Sequence, residues 1–366
     1  MRGTITRRSL LAGGAAAGLA ALAGCSATGG TETGGKSTGK PVRVIDMHAD
    51  TVDRLGMNGH KPYSGFDNIY SGDLASNNGE MSADRIGEGI QWVQCYSIWL
   101  PDYEGEYETD LKHAEWYREA AAWFHDQMEK HSDRFEQVRS FADIDSILST
   151  GKVAAVLTVE NSACLDEGID MVDEFERDGV LVAGITWNGE NVLGSGNSHA
   201  EKGLTGLGKE FIAELEKRSI VADVSHLNEK GFWELEKVAT KPYVATHSNA
   251  REVCDHLRNL TDDQFRAICD RGGVVGLNLN EGFVKKGGFV YTFDQLAAHV
   301  EHWLDIGGEN SVALGSDRDG AEVPSWLANC SSQGFLHAKF TERFGEDVAN
   351  KLFFENAVGF FKKHGK

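Results

Sequence analysis

The sequence predicts an α/β fold, a (β/α)8 TIM-type barrel formed by one domain. Three observations predict it. Eight short apolar runs follow one another from residue 42 onward. Amphipathic helical stretches alternate with them. Histidines and acids stand where several of the runs end, the edge on which such barrels gather their functional residues.

The runs are 42–47, 90–99, 153–159, 180–187, 220–224, 243–246, 273–278 and 311–315. Most are continuously apolar, as parallel strands buried on both faces are. Helical periodicity fills the intervals at 110–130, 141–148, 169–178, 208–218, 229–238, 262–271 and 292–304, and a further helix is expected over 349–363. An open doubly wound sheet is the rival. It would place a Gly-rich phosphate loop after the first strand, and none is present. No internal repeat and no interior linker divides the chain, so 41–366 reads as one domain.

The first forty residues stand apart from that domain. Thr6-Arg7-Arg8-Ser9-Leu10-Leu11 is a twin-arginine pattern, and the apolar stretch 10–23 is too short to span a bilayer. Leu22-Ala23-Gly24-Cys25 has the form of a bacterial lipobox. Residues 1–24 are therefore expected to be a lipoprotein signal peptide, with Cys25 the acylated first mature residue. Residues 25–40, rich in Gly, Ser and Thr, form a flexible tether. The expected location is the outer face of the bacterial cytoplasmic membrane, held by the lipid on Cys25. The formal charge is −20, and removing 1–24 takes away Arg2, Arg7 and Arg8 and no acid, leaving −23. Such a balance argues against nucleic acid as a partner and against electrostatic docking on anionic lipid. Cys95, Cys164, Cys254, Cys269 and Cys330 are odd in number and show no Cys-x-x-Cys spacing, so no disulfide framework is indicated.

The strand ends carry the chemistry. The first run leads into His48-Ala49-Asp50, and side chains two apart on an extended strand share a face. The third run ends in Glu160, costly to bury unless paired or bound to metal. The fifth leads to His226, the sixth to His247 and the eighth to Asp317. Singly, each has an ordinary reading: a core histidine, a helix N-cap, the partner of a core arginine. Six together at strand ends do not. Three histidines and two carboxylates suit two Zn²⁺ ions with one carboxylate bridging. Metal lowers the pKa of water to about 7, so a bridging hydroxide would be the nucleophile. Asp317, not needed as a ligand, would take and return a proton. The other histidines, His113, His125, His131, His299, His302 and His364 among them, fall on helices or the tail and are expected to face solvent.

His226, His247 and Asp317 lie in a set of ordered motifs: Gly203-Leu204-Thr205 with Gly208-Lys209-Glu210, Val221-Ala222-Asp223-Val224-Ser225-His226, Thr246-His247-Ser248-Asn249-Ala250, Leu257-Arg258-Asn259-Leu260-Thr261-Asp262 and Gly315-Ser316-Asp317-Arg318-Asp319-Gly320. On them the chain resembles the membrane (renal) dipeptidase family of zinc peptidases, in the amidohydrolase superfamily, from about Val44 to Phe361. The resemblance implies that His48, Asp50 and Glu160 hold one zinc, that Glu160, His226 and His247 hold the other, and that Asp317 is the acid/base residue. It assigns the substrate's terminal carboxylate to Arg258, which alone would read as an ordinary loop cation; His256 lies beside it. Dipeptides, L-L and L-D, are the implied substrates. Family members often dimerise, and nothing in the sequence marks an interface.

Three departures stand out. Where the family often has a histidine that stabilises the oxyanion, this chain has Trp187, followed by Asn188; both are expected at the substrate, with His199 a substitute for the missing imidazole. Arg318 replaces a residue commonly aromatic and is expected to alter the substrate pocket. Leu257 replaces a usual proline. The first two departures keep open a related hydrolase of another amide, such as an N-acyl amino acid or a lactam. A non-catalytic peptide-binding lipoprotein is a further alternative, and the intact ligand set argues against it.

Overall fold

In the computed structural model, which describes residues 40–62, 70–102, 109–288 and 290–366, the apolar runs become β1 (Val42–Ala49), β2 (Ile90–Trp99), β4 (Val153–Glu160), β5 (Val180–Gly184), β6 (Val221–Asp223), β7 (Val275–Leu277) and β8 (Val312–Leu314), with a short β3 (Phe135–Gln137) between the second and third. The signal segment, Cys25 and the tether up to Gly39 lie outside the described residues. Lys40–Lys366 form one unit.

Parallel pairing runs β1-β2-β4-β5-β6, with β3 added on β4, and β7 pairs with β8. Parallel bridges close the ring: Asp223 to Val244, Ala245 to Val275, and Ala49 to Arg318. The expected strand at 243–246 is thus cut to bridges. The Thr246 N–H donates to the Asp223 carboxylate, at 2.9 Å, instead of continuing the ladder. The expected strand at 180–187 stops at Gly184. The unexpected β3 has too few residues for a pattern to show.

Helices α1 (Thr51–Gly56), α2 (His113–Lys130), α3 (Ile144–Ser149), α4 (Met171–Asp178), α5 (Gly206–Arg218), α6 (Glu229–Val238), α7 (Asp262–Asp270), α8 (Glu281–Val284) and α9 (Phe293–Asp305) lie between or after the strands. Their starts are written in the sequence. Thr261 with Gln264 and Thr292 with Gln295 form capping boxes, and the Asn228 side chain accepts the Gly231 N–H. After β8 come α10 (Gln333–Phe344), α11 (Glu346–Asn350), a π-helical turn at Lys351–Glu355, and α12 (Asn356–His364). One apolar cluster joins strand residues such as Tyr96, Leu157 and Ala222 to the helices through Phe124, Phe175 and Phe211. A second joins Ile45, Val93, Val156, Val182, Val244 and Ala313 to Phe354, Val358 and Phe361 of the C-terminal segment. Among the described residues no helix is long and apolar enough to cross a membrane.

Candidate metal centre

The strand ends converge. His48 is the penultimate residue of β1 and Glu160 the last of β4. His226 and Asp317 follow β6 and β8, and His247 follows the Val244 and Ala245 bridges. All are buried, as is Asp50. His48 Nε2 stands 3.5 Å from Asp50 Oδ1, 3.4 Å from Glu160 Oε2 and 3.9 Å from Asp317 Oδ1. Glu160 Oε1 lies 2.8 Å from His226 Nε2 and 3.5 Å from His247 Nε2. The His48 and His247 rings stack with centroids 3.8 Å apart.

Simple strand alternation does not bring His48 and Asp50 together. The β1 register shifts between Asp46 and Ala49, and Asp50 sits at the N-cap of α1 with no side-chain capping bond. Its carboxylate is left free to turn inward. A Cβ at Gly320 would lie 1.7 Å from Asp50 Oδ2, so this turn depends on glycine. The backbone is left-handed at Asn161, His226, Asp317 and Asp319, with φ of 64°, 68°, 63° and 64°. Strain of that kind clusters at functional sites, at about 1–3 kcal/mol for each residue.

Counting protons shows what the cluster lacks. Thr246 Oγ1 gives its one proton to Asp223 Oδ2, so it accepts from His247 Nδ1, at 2.8 Å. Asn188 Oδ1 can only accept, so His226 Nδ1, at 2.9 Å, donates. Both rings therefore present Nε2 as a bare lone pair. These atoms stand 3.0 Å apart and face the same Glu160 oxygen. Across the site, His48 Nε2 and Asp50 Oδ1 are buried without a hydrogen-bond partner. The facing Nε2 lone pairs of His226 and His247, cut off from water, call for a cation beside them.

The charges agree. Burial holds His226 and His247 well below the usual histidine value, hence neutral. Burial, reinforced by Asp50, pushes Glu160 up to about 8, and burial pushes Asp317 up to about 6. For His48, burial opposes the charge, but Asp50 and Glu160 outweigh it and raise the imidazole well above its usual value. His48, Glu160 and His247 form one group with ligand atoms within 4.8 Å of one another, and His48, Asp50 and Asp317 form another. Imidazole nitrogens with carboxylate oxygens fit a divalent transition metal. Asp317, expected to be unneeded as a ligand, lies within ligand reach.

A family model for membrane dipeptidase, peptidase family M19, matches residues 39–364. The chain belongs to the membrane dipeptidase family. It is a metallo-dipeptidase, supported by relatives that match along most of the domain. An uncharacterized protein from the pqqA 5′ region of Klebsiella pneumoniae is 36% identical over 243 residues, 63% of this chain and 89% of the relative. An uncharacterized dipeptidase of Schizosaccharomyces pombe is 30% identical over 207 residues, 55% of this chain and half of that protein. Among solved structures, a metallopeptidase from Rhodobacter sphaeroides, bound to a phosphinate mimic of the dipeptide L-Ala-D-Ala, superposes with a TM-score of 0.77 at 26% identity, over 88% of this chain and 99% of that one. Dipeptidase AC, of family M19, gives 0.76 at 28% identity with the same coverage.

In this membrane dipeptidase the loop cation Arg258 is buried, not solvated. Its Nη2 donates to the His247 carbonyl at 3.0 Å, its Nε has no partner, and its guanidinium lies 5.4 Å from the Phe283 ring centre. His256 accepts the Arg258 N–H. Trp187 meets Trp99 edge-on at 5.1 Å and lies 6.1 Å from the His226 ring. His199 enters neither ligand group.

Arg318 is wholly buried and braces the following segment through the Leu327 carbonyl, Ser332 Oγ and Gln333 Oε1. One expectation is corrected. His113 and His299 are buried rather than solvent-facing. His113 Nε2 bonds the Pro101 carbonyl, while His299 accepts the Ala250 N–H and donates to the Val284 carbonyl. The second layer went unread. Asp46 accepts the Ser316 N–H at 2.8 Å and the Ser316 hydroxyl, Asp223 does the same for Thr246, and Asn278 Nδ2 donates to Asp317 Oδ2 at 2.8 Å. The available signal was an acid two residues before His48 and another three before His226. The described cysteines are free, as the spacing implied.

Proposed function

We propose that this membrane dipeptidase hydrolyses dipeptides with a free C-terminal carboxylate, L-L and L-D alike, with two zinc ions bridged by Glu160. The observation that carries the reading is the division of labour within one carboxylate: Oε2 faces His48, while Oε1 faces His226 and His247. On this reading His48, Asp50 and Glu160 hold one ion, and Glu160, His226 and His247 the other. When bound, the ions supply Lewis acidity and a water ionised near neutral pH. Asp317, oriented by Asn278, receives the proton lost by the attacking water and delivers it to the leaving amine as the C–N bond breaks. Arg258 anchors the substrate carboxylate, which a guanidinium fork matches. Trp187, with Trp99, walls the side nearest His226. The L-D reading draws on the R. sphaeroides relative and its L-Ala-D-Ala mimic.

Export through the 6–11 pattern, lipid attachment at Cys25 and a homodimeric assembly belong to the same proposal. The first two rest on sequence and the last on the family resemblance.

The test is a panel of L-L and L-D dipeptides, N-acyl amino acids and a lactam, offered to zinc-loaded protein. Dipeptide cleavage that chelator abolishes and zinc restores is expected. A clear preference for N-acyl amino acids, or cleavage indifferent to chelator, overturns the reading.

A further inference from the structure

The two imidazoles opposite Glu160 Oε1 have unlike supports. His226 Nδ1 donates to a neutral amide, Asn188, which is half-buried. His247 Nδ1 donates to Thr246 Oγ1, which passes its own proton to the Asp223 carboxylate. Thr246 and Asp223 are both buried, and Asp223 Oδ1 also accepts the Ser225 and Thr246 N–H groups at 2.9 Å. The acid is therefore held as an acceptor, and the hydroxyl has one orientation.

We propose that Asp223 and Thr246 are positioning residues that fix His247 as the Nδ1–H tautomer and make the metal position shared by His226 and His247 depend on the Thr246 hydroxyl, whereas the position of His48 and Asp50 does not. The inference rests on the binuclear reading above. A carboxylate acting through a hydroxyl increases the electron density at His247 Nε2, as acids behind metal-bound histidines do. Burial makes the arrangement irreplaceable. If the hydroxyl is lost, no water reaches the His247 N–H, and an unpaired buried donor is costly. At Asn188 solvent can take over the bond, because a bridging water nearly equals a direct partner. The two supports thus differ in consequence, and the two metal positions differ in what weakens them.

The experiment titrates metal-free protein with Zn²⁺ by calorimetry, comparing the full chain with Thr246→Val, Thr246→Ser and Asn188→Ala. Nitrogen-15 shifts of His247 in the metal-free wild type are measured alongside. The expected result is one unchanged position in Thr246→Val and one weakened about 10–100-fold. Thr246→Ser keeps wild-type binding, and Asn188→Ala weakens by less than Thr246→Val. The His247 shifts report a proton on Nδ1. Equal binding of both ions by Thr246→Val, or a His247 proton on Nε2, overturns the relay. Should Thr246→Val fail to fold, the wild-type shifts decide. Should wild type bind fewer than two ions, the binuclear reading falls, while the shifts still judge the relay by themselves.

Discussion

His299 and His247 are both imidazoles with no exposed surface, placed in two regions that treat them differently. Under α9, His299 has a backbone partner for each nitrogen: it accepts the Ala250 N–H at 3.1 Å and bonds the Val284 carbonyl at 3.0 Å. At the strand ends, His247 has a partner for Nδ1 only, and its Nε2 faces another bare nitrogen and a carboxylate oxygen. Burial is common to both, so burial does not mark the site. What marks it is a lone pair that the protein declines to satisfy, beside backbone held left-handed at His226 and Asp317. One region uses its histidine as packing with polar ends. The other keeps its histidine in reserve for a ligand. Changes at the strand ends should therefore remove function and metal, and changes at His299 should remove stability alone.

The largest effect is expected from Glu160→Gln. Its amide cannot bridge, and both groups of donors lose their shared charge. Metal content should fall at both positions, dipeptide cleavage should drop to background, and the circular dichroism should stay native. Retention of two ions would break the contrast at its centre. Asp317→Asn comes next, lowering kcat by about 10²–10⁴-fold with metal content unchanged, as measured by turnover and elemental analysis on one sample. Because Asp317 Oδ1 lies 3.9 Å from His48 Nε2, loss of an ion from this variant would reassign Asp317 as a ligand. Gly320→Ala is milder. Its methyl would displace Asp50, and the affinity at the His48 and Asp50 position should weaken by about 10–100-fold, as for other losses of ligand orientation.

The same contrast explains what the sequence could and could not show. Strand starts and the six strand-end residues were legible because each rests on local pattern: apolar runs, and an ionisable group at the edge of a run. His299 was not, because a histidine on an amphipathic helix carries no mark of which neighbour will cover it, and here the cover comes from Ala250 and Val284. The role of Arg318 was hidden for the same reason. Its position beside Asp317 is visible in sequence, but its partners at 327–333 are supplied by a later turn of chain. Asp223 is legible only once Thr246 is beside it, a pairing across adjacent barrel strands that no single run contains. The strand at 243–246 was overcounted because its apolar pattern is real, while a side chain, not a neighbouring strand, takes the Thr246 N–H.

The smallest effect on function, and the sharpest test of the contrast, is His299→Leu. Metal content and turnover should match wild type. The Ala250 N–H and the Val284 carbonyl lose their partner, and each unpaired buried group costs about 1–3 kcal/mol. The cost should also depend on pH in a fixed direction. Burial pushes His299 down from 6.5 to about 4. Above pH 6.5 neither the folded nor the unfolded chain is protonated there, and the stabilisation is complete. Between 6.5 and 4 the unfolded chain binds a proton that the folded one refuses, so stability drains away as the pH falls. Wild type bears that loss and His299→Leu does not, so the stability gap between them should narrow from pH 7.5 to pH 5. Urea midpoints of the metal-free proteins at the two values measure it, and their difference cancels the titration of the strand-end groups common to both. A gap that stays constant would mean His299 is not held neutral, and the division between a satisfied histidine and a reserved one would lose its structural basis.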